Sequence, residues 1–181
     1  MNRKIILAIS VIALGLSISS CSRKISFNTD VRNRVASTNT PLTKLQYYVD
    51  RTVELKRVIT TGDTKVSSGT IKVENGKSIQ IIKLKRNTPG ICTSVGPDKM
   101  IVSFEEGPNK YLTFAMPRNG TIKSSYVLQL NSLDKYGNAT VVYDGLVYSV
   151  SPRGIFAKLK VKKSVATKMS VKKTKMKGRK L

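Results

Sequence analysis

Side chains able to do chemistry are scarce in this chain, and their spacing works against them. Its 181 residues include no histidine and two cysteines, which excludes histidine-based triads and histidine-ligated metal sites. Glu105 and Glu106 are the only adjacent carboxylates, but consecutive side chains on a strand point to opposite faces, so they make a poor acid–base pair. Asp50, Asp98, Asp134 and Asp144 stand in strand or turn contexts, where a solvated or turn-forming carboxylate is the ordinary role. Cys92, within Thr88-Pro89-Gly90-Ile91-Cys92-Thr93 and next to an expected turn, has no histidine to act as its base and fits a small buried apolar residue. No glycine-rich phosphate loop, CxxC pair or metal-ligand cluster is present. The expectation is therefore no catalytic residue, no metal and no cofactor, and a protein that is not an enzyme.

What positions the few remaining candidates is first of all an address. A basic start, Met1-Asn2-Arg3-Lys4, leads into the apolar run from Ile5 to Leu16 and then into small residues ending at Cys21. The run suits a secretory h-region and falls short of the ~20 apolar residues that a membrane-spanning helix needs. Ile18-Ser19-Ser20-Cys21 then resembles the lipobox of bacterial lipoproteins: a branched aliphatic residue, two small residues and a cysteine directly after the h-region. The resemblance implies that residues 1–20 are removed as a signal peptide and that the Cys21 sulfur carries a diacylglyceryl group. The new amino terminus is then usually acylated as well, with a fatty acid such as palmitate. Two or three chains, at about 0.8 kcal/mol per buried CH₂, hold a protein on a membrane effectively permanently. By the same resemblance, Ser22 rather than Asp after the cysteine points to the outer membrane rather than the inner one. With Cys21 consumed, Cys92 has no thiol to pair with, so no intramolecular disulfide is expected.

Charge is the second signal. Lys and Arg number 33 against 10 Asp and Glu, a formal charge of +23. Residues 22–152 hold 19 basic and 10 acidic side chains, whereas residues 153–181 hold 12 basic and none acidic. Val161-Lys162-Lys163-Ser164 recurs as Val171-Lys172-Lys173-Thr174, too short a repeat to bury a core. Residues 163–181 are thus expected to form a low-complexity basic tail. Val161, Val165, Met169 and Met176 fall on one side of a helical projection, which suits a basic amphipathic helix on an anionic surface. The candidate polyanion-binding residues are Lys162, Lys163, Lys168, Lys172, Lys173, Lys175, Lys177, Arg179 and Lys180. Lysines without interleaved aromatics lack a stacking platform for nucleic acid, and an exported protein meets anionic lipid, lipopolysaccharide and cell-wall polymer instead.

Between the two ends the hydrophobic period is two. Residues 21–44, the lipidated cysteine and a polar stretch containing Asn39-Thr40-Pro41, are expected to be a flexible tether spanning about 25 Å. From Leu45 to Lys162 the chain alternates: Leu45, Tyr47, Val49, Val53 and Leu55; Met100, Val102 and Phe104; Leu112, Phe114 and Met116; Tyr126, Leu128 and Leu130; Ile155, Ala157, Leu159 and Val161. Asp144-Gly145 signals a two-residue type I′ hairpin. Keeping Ile71, Val73, Ile79 and Ile81 on one face favours a three-residue loop, Glu74-Asn75-Gly76, which pairs Ile71 with Ile79. Likewise, Phe104 is expected opposite Leu112. About nine short strands at this spacing predict an all-β domain over residues 45–162, an antiparallel β-sandwich or small β-barrel.

These features predict a membrane-anchored lipoprotein of the bacterial cell envelope, a structural or accessory module docking onto a larger assembly through an envelope protein partner. The alternative is a polyanion-binding lipoprotein acting through its tail.

Overall fold

The computed structural model describes residues 23–60, 69–121 and 123–167. The described chain is two packed antiparallel sheets, one curled into a half-barrel, so the all-β expectation stands. The first sheet runs β1 (Lys24–Ser26), β13 (Leu159–Lys162), β2 (Gln46–Val49), β6 (Pro89–Val95), β7 (Lys99–Ser103), β8 (Tyr111–Ala115) and β9 (Val127–Leu128). It curls far enough for Val127 to bridge Lys158, next to β13, and for Ser125 to bridge Asn28 beyond β1. The second sheet runs β10 (Ser132–Leu133), β11 (Ala139–Tyr143), β12 (Leu146–Val150), β3 (Val53–Val58), β5 (Lys77–Leu84) and β4 (Thr70–Glu74).

The two-residue alternation places the core as expected. Leu45, Tyr47, Val49, Val53 and Leu55 are all buried, but the stretch breaks at Asp50-Arg51-Thr52, so that β2 belongs to one sheet and β3 to the other. Asp50 holds this corner: its Oδ1 accepts from the Lys158 N–H at 2.7 Å, and its own N–H donates to the Lys158 carbonyl. Aromatic rings pack at the centre, Phe27 edge-on to Tyr47 at 5.2 Å and tilted against Tyr126 at 5.3 Å.

Phe27 overturns the tether. Residues 24–36 are folded: β1 pairs antiparallel with β13, and α1 (Thr29–Ala36) follows, capped by the Asn28 side chain accepting from the Val31 N–H at 2.8 Å. Val31 and Val35, spaced i, i+4, are buried on one face of α1, and Phe27, which continues β1, is buried in the same core. On the other side of the same helix, Arg32 donates to the carbonyls of Gly96 and Pro97, both at 2.7 Å, pinning α1 over the β6–β7 turn. Burying three apolar side chains outweighs the polar composition from which a coil was expected.

Strand pairing corrects several further details. Among the described residues there are thirteen strands rather than nine. The additions are β1, β6, β10 and the division of β2 from β3. In β6, Gly90 marks a close approach and not a turn: a Cβ there would lie 2.6 Å from the Phe104 ring. The β4–β5 loop has two residues, Asn75 and Gly76, both at positive φ (50° and 73°), with Glu74 opposite Lys77 and Ile71 opposite Gln80. A type I′ turn matches strand twist, and that preference prevails over the apolar alternation; Ile71 and Val73 are left 50% and 73% exposed. Asp144-Gly145 forms the hairpin turn expected of it, with φ of 52° and 74°. Val102, not Phe104, stands opposite Leu112. That shift of two residues keeps the same face inward.

At the C-terminal end, Val161 is a strand residue opposite Ile25 and Tyr47 rather than part of a helical stripe. The helix α2 (Lys163–Thr167) begins after it and buries Ala166. The expected tail therefore starts inside the fold, because Ala166 finds apolar cover against the core.

Candidate membrane-facing site

The pairing of β1 with β13 brings the two ends of the described chain together. Lys24 stands directly opposite Lys162, and Ser26 opposite Lys160. The Lys163 N–H then donates to the Arg23 carbonyl at 2.7 Å, extending the contact past the strand ends. Ile25 and Val161 turn inward on the same strands, so Lys24, Lys160 and Lys162 share the outer face by alternation. The Lys24 ammonium lies 4.5 Å over the Tyr48 ring, which attracts it without neutralising it.

No carboxylate answers these charges. Among the described residues, Arg23, Lys24, Lys160, Lys162 and Lys163 form no ion pair. The acids that flank β1 and β2 in sequence have partners of their own: Asp30 pairs with Arg34 at 2.8 Å, and Asp50 with Arg51 at 3.1 Å. Like charges directly opposite on neighbouring strands destabilise the pair. This corner therefore carries an electrostatic cost that an external anion would relieve.

Of the tail residues expected to bind polyanions, Lys162 ends β13 and Lys163 opens α2, both within this corner. Lys168, Lys172, Lys173, Lys175, Lys177, Arg179 and Lys180 lie outside the described residues, as do Cys21 and the signal segment 1–20. Arg23 and Lys24 were missed as site residues. Their partners lie almost the whole chain away, and only the burial spacing of Phe27, Val31 and Val35 hinted that this stretch is held down.

Other candidates are less complete. A cavity of about 170 Å³ opens beside Phe104, between Leu55, Leu84 and Leu112. At its mouth the Tyr143 hydroxyl donates to Glu105 Oε2 at 2.9 Å, and burial together with that carboxylate pushes the phenol far above its ordinary range. Glu105 is thereby occupied, with Lys110 also 3.8 Å away. Deeper in the second sheet, buried Gln80 accepts from Arg57 Nε (3.1 Å) and Nη2 (3.0 Å) and from the Tyr148 hydroxyl (3.2 Å), a satisfied network joining β3, β5 and β12. Cys92 is buried, donates its thiol proton to the Ser94 carbonyl at 3.2 Å, and is held protonated chiefly by that burial. Asp134 forms the Asx turn expected of it: Oδ1 accepts from the N–H groups of Tyr136 and Asn138, and these bonds with the Asn138 amide lower its pKa. Among the described residues no three His, Cys, Asp or Glu side chains gather as metal ligands, and no helix is long and apolar enough to cross a membrane.

Comparison with protein-family models, with curated proteins and with solved structures finds no significant match.

Proposed function

We propose that this chain is a lipid-anchored module of a bacterial cell envelope, a binding and structural component rather than a catalyst, which docks onto a larger membrane assembly. One observation carries the reading. Cys21, at the end of a lipobox-like sequence, precedes by three residues β1, whose pairing with β13 gathers cations that have no acidic partner among the described residues. A fully extended stretch from Cys21 to Lys24 reaches about 10 Å, so an acyl anchor on Cys21 keeps the folded body at the bilayer. Ser22 after the cysteine favours the outer membrane.

The same cluster supports a second reading, a polyanion-binding lipoprotein, since five cations with no acidic partner among the described residues invite phosphate or carboxylate ligands. The two are compatible, because the anchor and the cations occupy one end of the molecule.

Mass spectrometry of the mature N-terminus tests the anchor. The expected result is an acylated cysteine at position 21 and a Cys21→Ala protein released from membranes by carbonate. An unmodified N-terminus overturns the proposal, as does carbonate-resistant attachment of the variant. Mild crosslinking followed by purification tests the assembly, with a stoichiometric envelope protein as the expected product.

A further inference from the structure

We infer that the β1–β13 corner is a docking surface for anionic lipid headgroups of the leaflet that holds the anchor, and that it lays the domain against the bilayer in a fixed orientation. The inference rests on the lipoprotein reading above and adds to it a lipid class, a set of residues in the folded body and a direction.

Three observations point to this occupant. First, Lys24 and Lys162 face one another across a strand pair, with Lys160 on the same face and Arg23 and Lys163 joined by a backbone hydrogen bond at its end. None of these five has an acidic partner among the described residues. A sheet that sets lysines opposite each other gains most from a ligand that is itself an extended array of negative charge. Second, both undescribed ends of the chain leave from this corner. The N-terminal one reaches Cys21 within two residues of Arg23, and the C-terminal one follows α2 with seven of the nine basic candidates and no acid. Third, the outer face of the second sheet interleaves acids with its cations: Glu74 stands opposite Lys77, and Glu54 on β3 lies 3.3 Å from Lys56 and 3.9 Å from Lys83. An anionic surface meets carboxylates on those strands and none on β1 or β13.

A cation close to an anionic membrane strengthens binding about fivefold, and the effect fades over a Debye length of about 8 Å at physiological salt. The reach of about 10 Å from Cys21 to Lys24 brings the corner into that zone. A flexible 25 Å tether would not have held it there.

The chain contains no tryptophan, so an introduced one reports its own surroundings. Ser164→Trp places a reporter on α2 beside the corner, and Val147→Trp places one on the outward face of the second sheet. The full lipidated chain is reconstituted into vesicles carrying a headgroup-attached quencher, of phosphatidylcholine alone or with phosphatidylglycerol added. The expected result is strong quenching of Trp at 164 only with phosphatidylglycerol, little quenching at 147 in either, and reversal by salt. Lys24→Gln with Lys162→Gln should lower the docked-to-free ratio about fivefold per charge removed, while the circular dichroism spectrum stays unchanged. Equal quenching at both positions, indifference to phosphatidylglycerol, or no effect of the double variant overturns the inference. So does salt-sensitive binding to isolated cell-wall polymer with no lipid quenching, which assigns the corner to the polymer. Failure of the lipoprotein reading looks different: the chain then carries no acyl group by mass spectrometry and leaves the vesicles at the carbonate wash, whatever its charges.

Discussion

The outer faces of the two sheets carry similar residue types and handle them in opposite ways. On the β3–β5–β4 face, Glu54 lies between Lys56 and Lys83, and exposed Val58 stands opposite Ile79. On the β1–β13 corner, lysine faces lysine and, among the described residues, no carboxylate pairs with them. Both surfaces are basic, so net charge does not distinguish them. Pairing does: one face sets a carboxylate between two of its lysines, while β1 and β13 carry no carboxylate at all. Unmatched charge that a fold retains is a better pointer to a ligand than total charge, since satisfied ions have little to gain from a partner.

The largest effect expected tests whether the corner is part of the fold at all. Phe27 continues β1 by donating its N–H to the Leu159 carbonyl at 2.8 Å and sits between Tyr47 and Tyr126. Phe27→Ala should cost about 3–5 kcal/mol in urea unfolding. An unchanged midpoint would mean that residues 23–36 are a tether after all, and the contrast between the two faces would lose one of its members.

A second test concerns the core that both faces share. Burial raises the pKa of Cys92 above its ordinary 9.0, and those of Tyr47 and Tyr143 above 10.0. The folded chain keeps these protons when the unfolded chain would release them. Stability is thus full below pH 9 and declines as pH rises, first through the Cys92 range and then through that of the tyrosines. Urea midpoints should fall from about pH 9 upward, and Cys92→Ala should remove the earliest part of the fall. A flat profile would mean that these groups are solvated when folded.

How far the sequence discloses this differs between the faces for physical reasons. The second sheet was legible where local chemistry decides: Asp144-Gly145 sets its own turn. The Asn75-Gly76 turn was misread because apolar alternation was allowed to overrule turn geometry, whereas β4 lies at an edge with Ile71 and Val73 in solvent. In the first sheet Pro89-Gly90 imitates a turn, and only the Phe104 ring lying over Gly90 explains a glycine in that strand. The candidate site was half visible. Its basic C-terminal part is plain from composition, but that Lys24 meets Lys162 depends on a pairing across most of the chain, which no local pattern encodes. The proposed anchor at Cys21 rests on resemblance alone, because a lipobox is read by an enzyme and not by the fold.

The smallest expected effect discriminates most directly between the two faces, because the same reversal of charge should act with opposite sign on each. Lys162→Glu places a carboxylate opposite Lys24 and should stabilise the fold by about 0.2–1 kcal/mol. Glu54→Lys puts a third cation beside Lys56 and Lys83 and should destabilise it by up to about 1 kcal/mol. Both shifts should shrink as salt is added, since charges at the surface are screened. Binding to phosphatidylglycerol vesicles should run against stability at the corner: Lys162→Glu gains in urea and loses on the membrane, the pattern of a residue kept for a partner at some cost to the fold. Loss of stability in Lys162→Glu would show that the lysine pair is not repulsive as it stands, and the corner would then differ from the opposite face in composition only. A gain in stability with membrane binding unchanged would leave the repulsion real but assign its relief to some anion other than lipid.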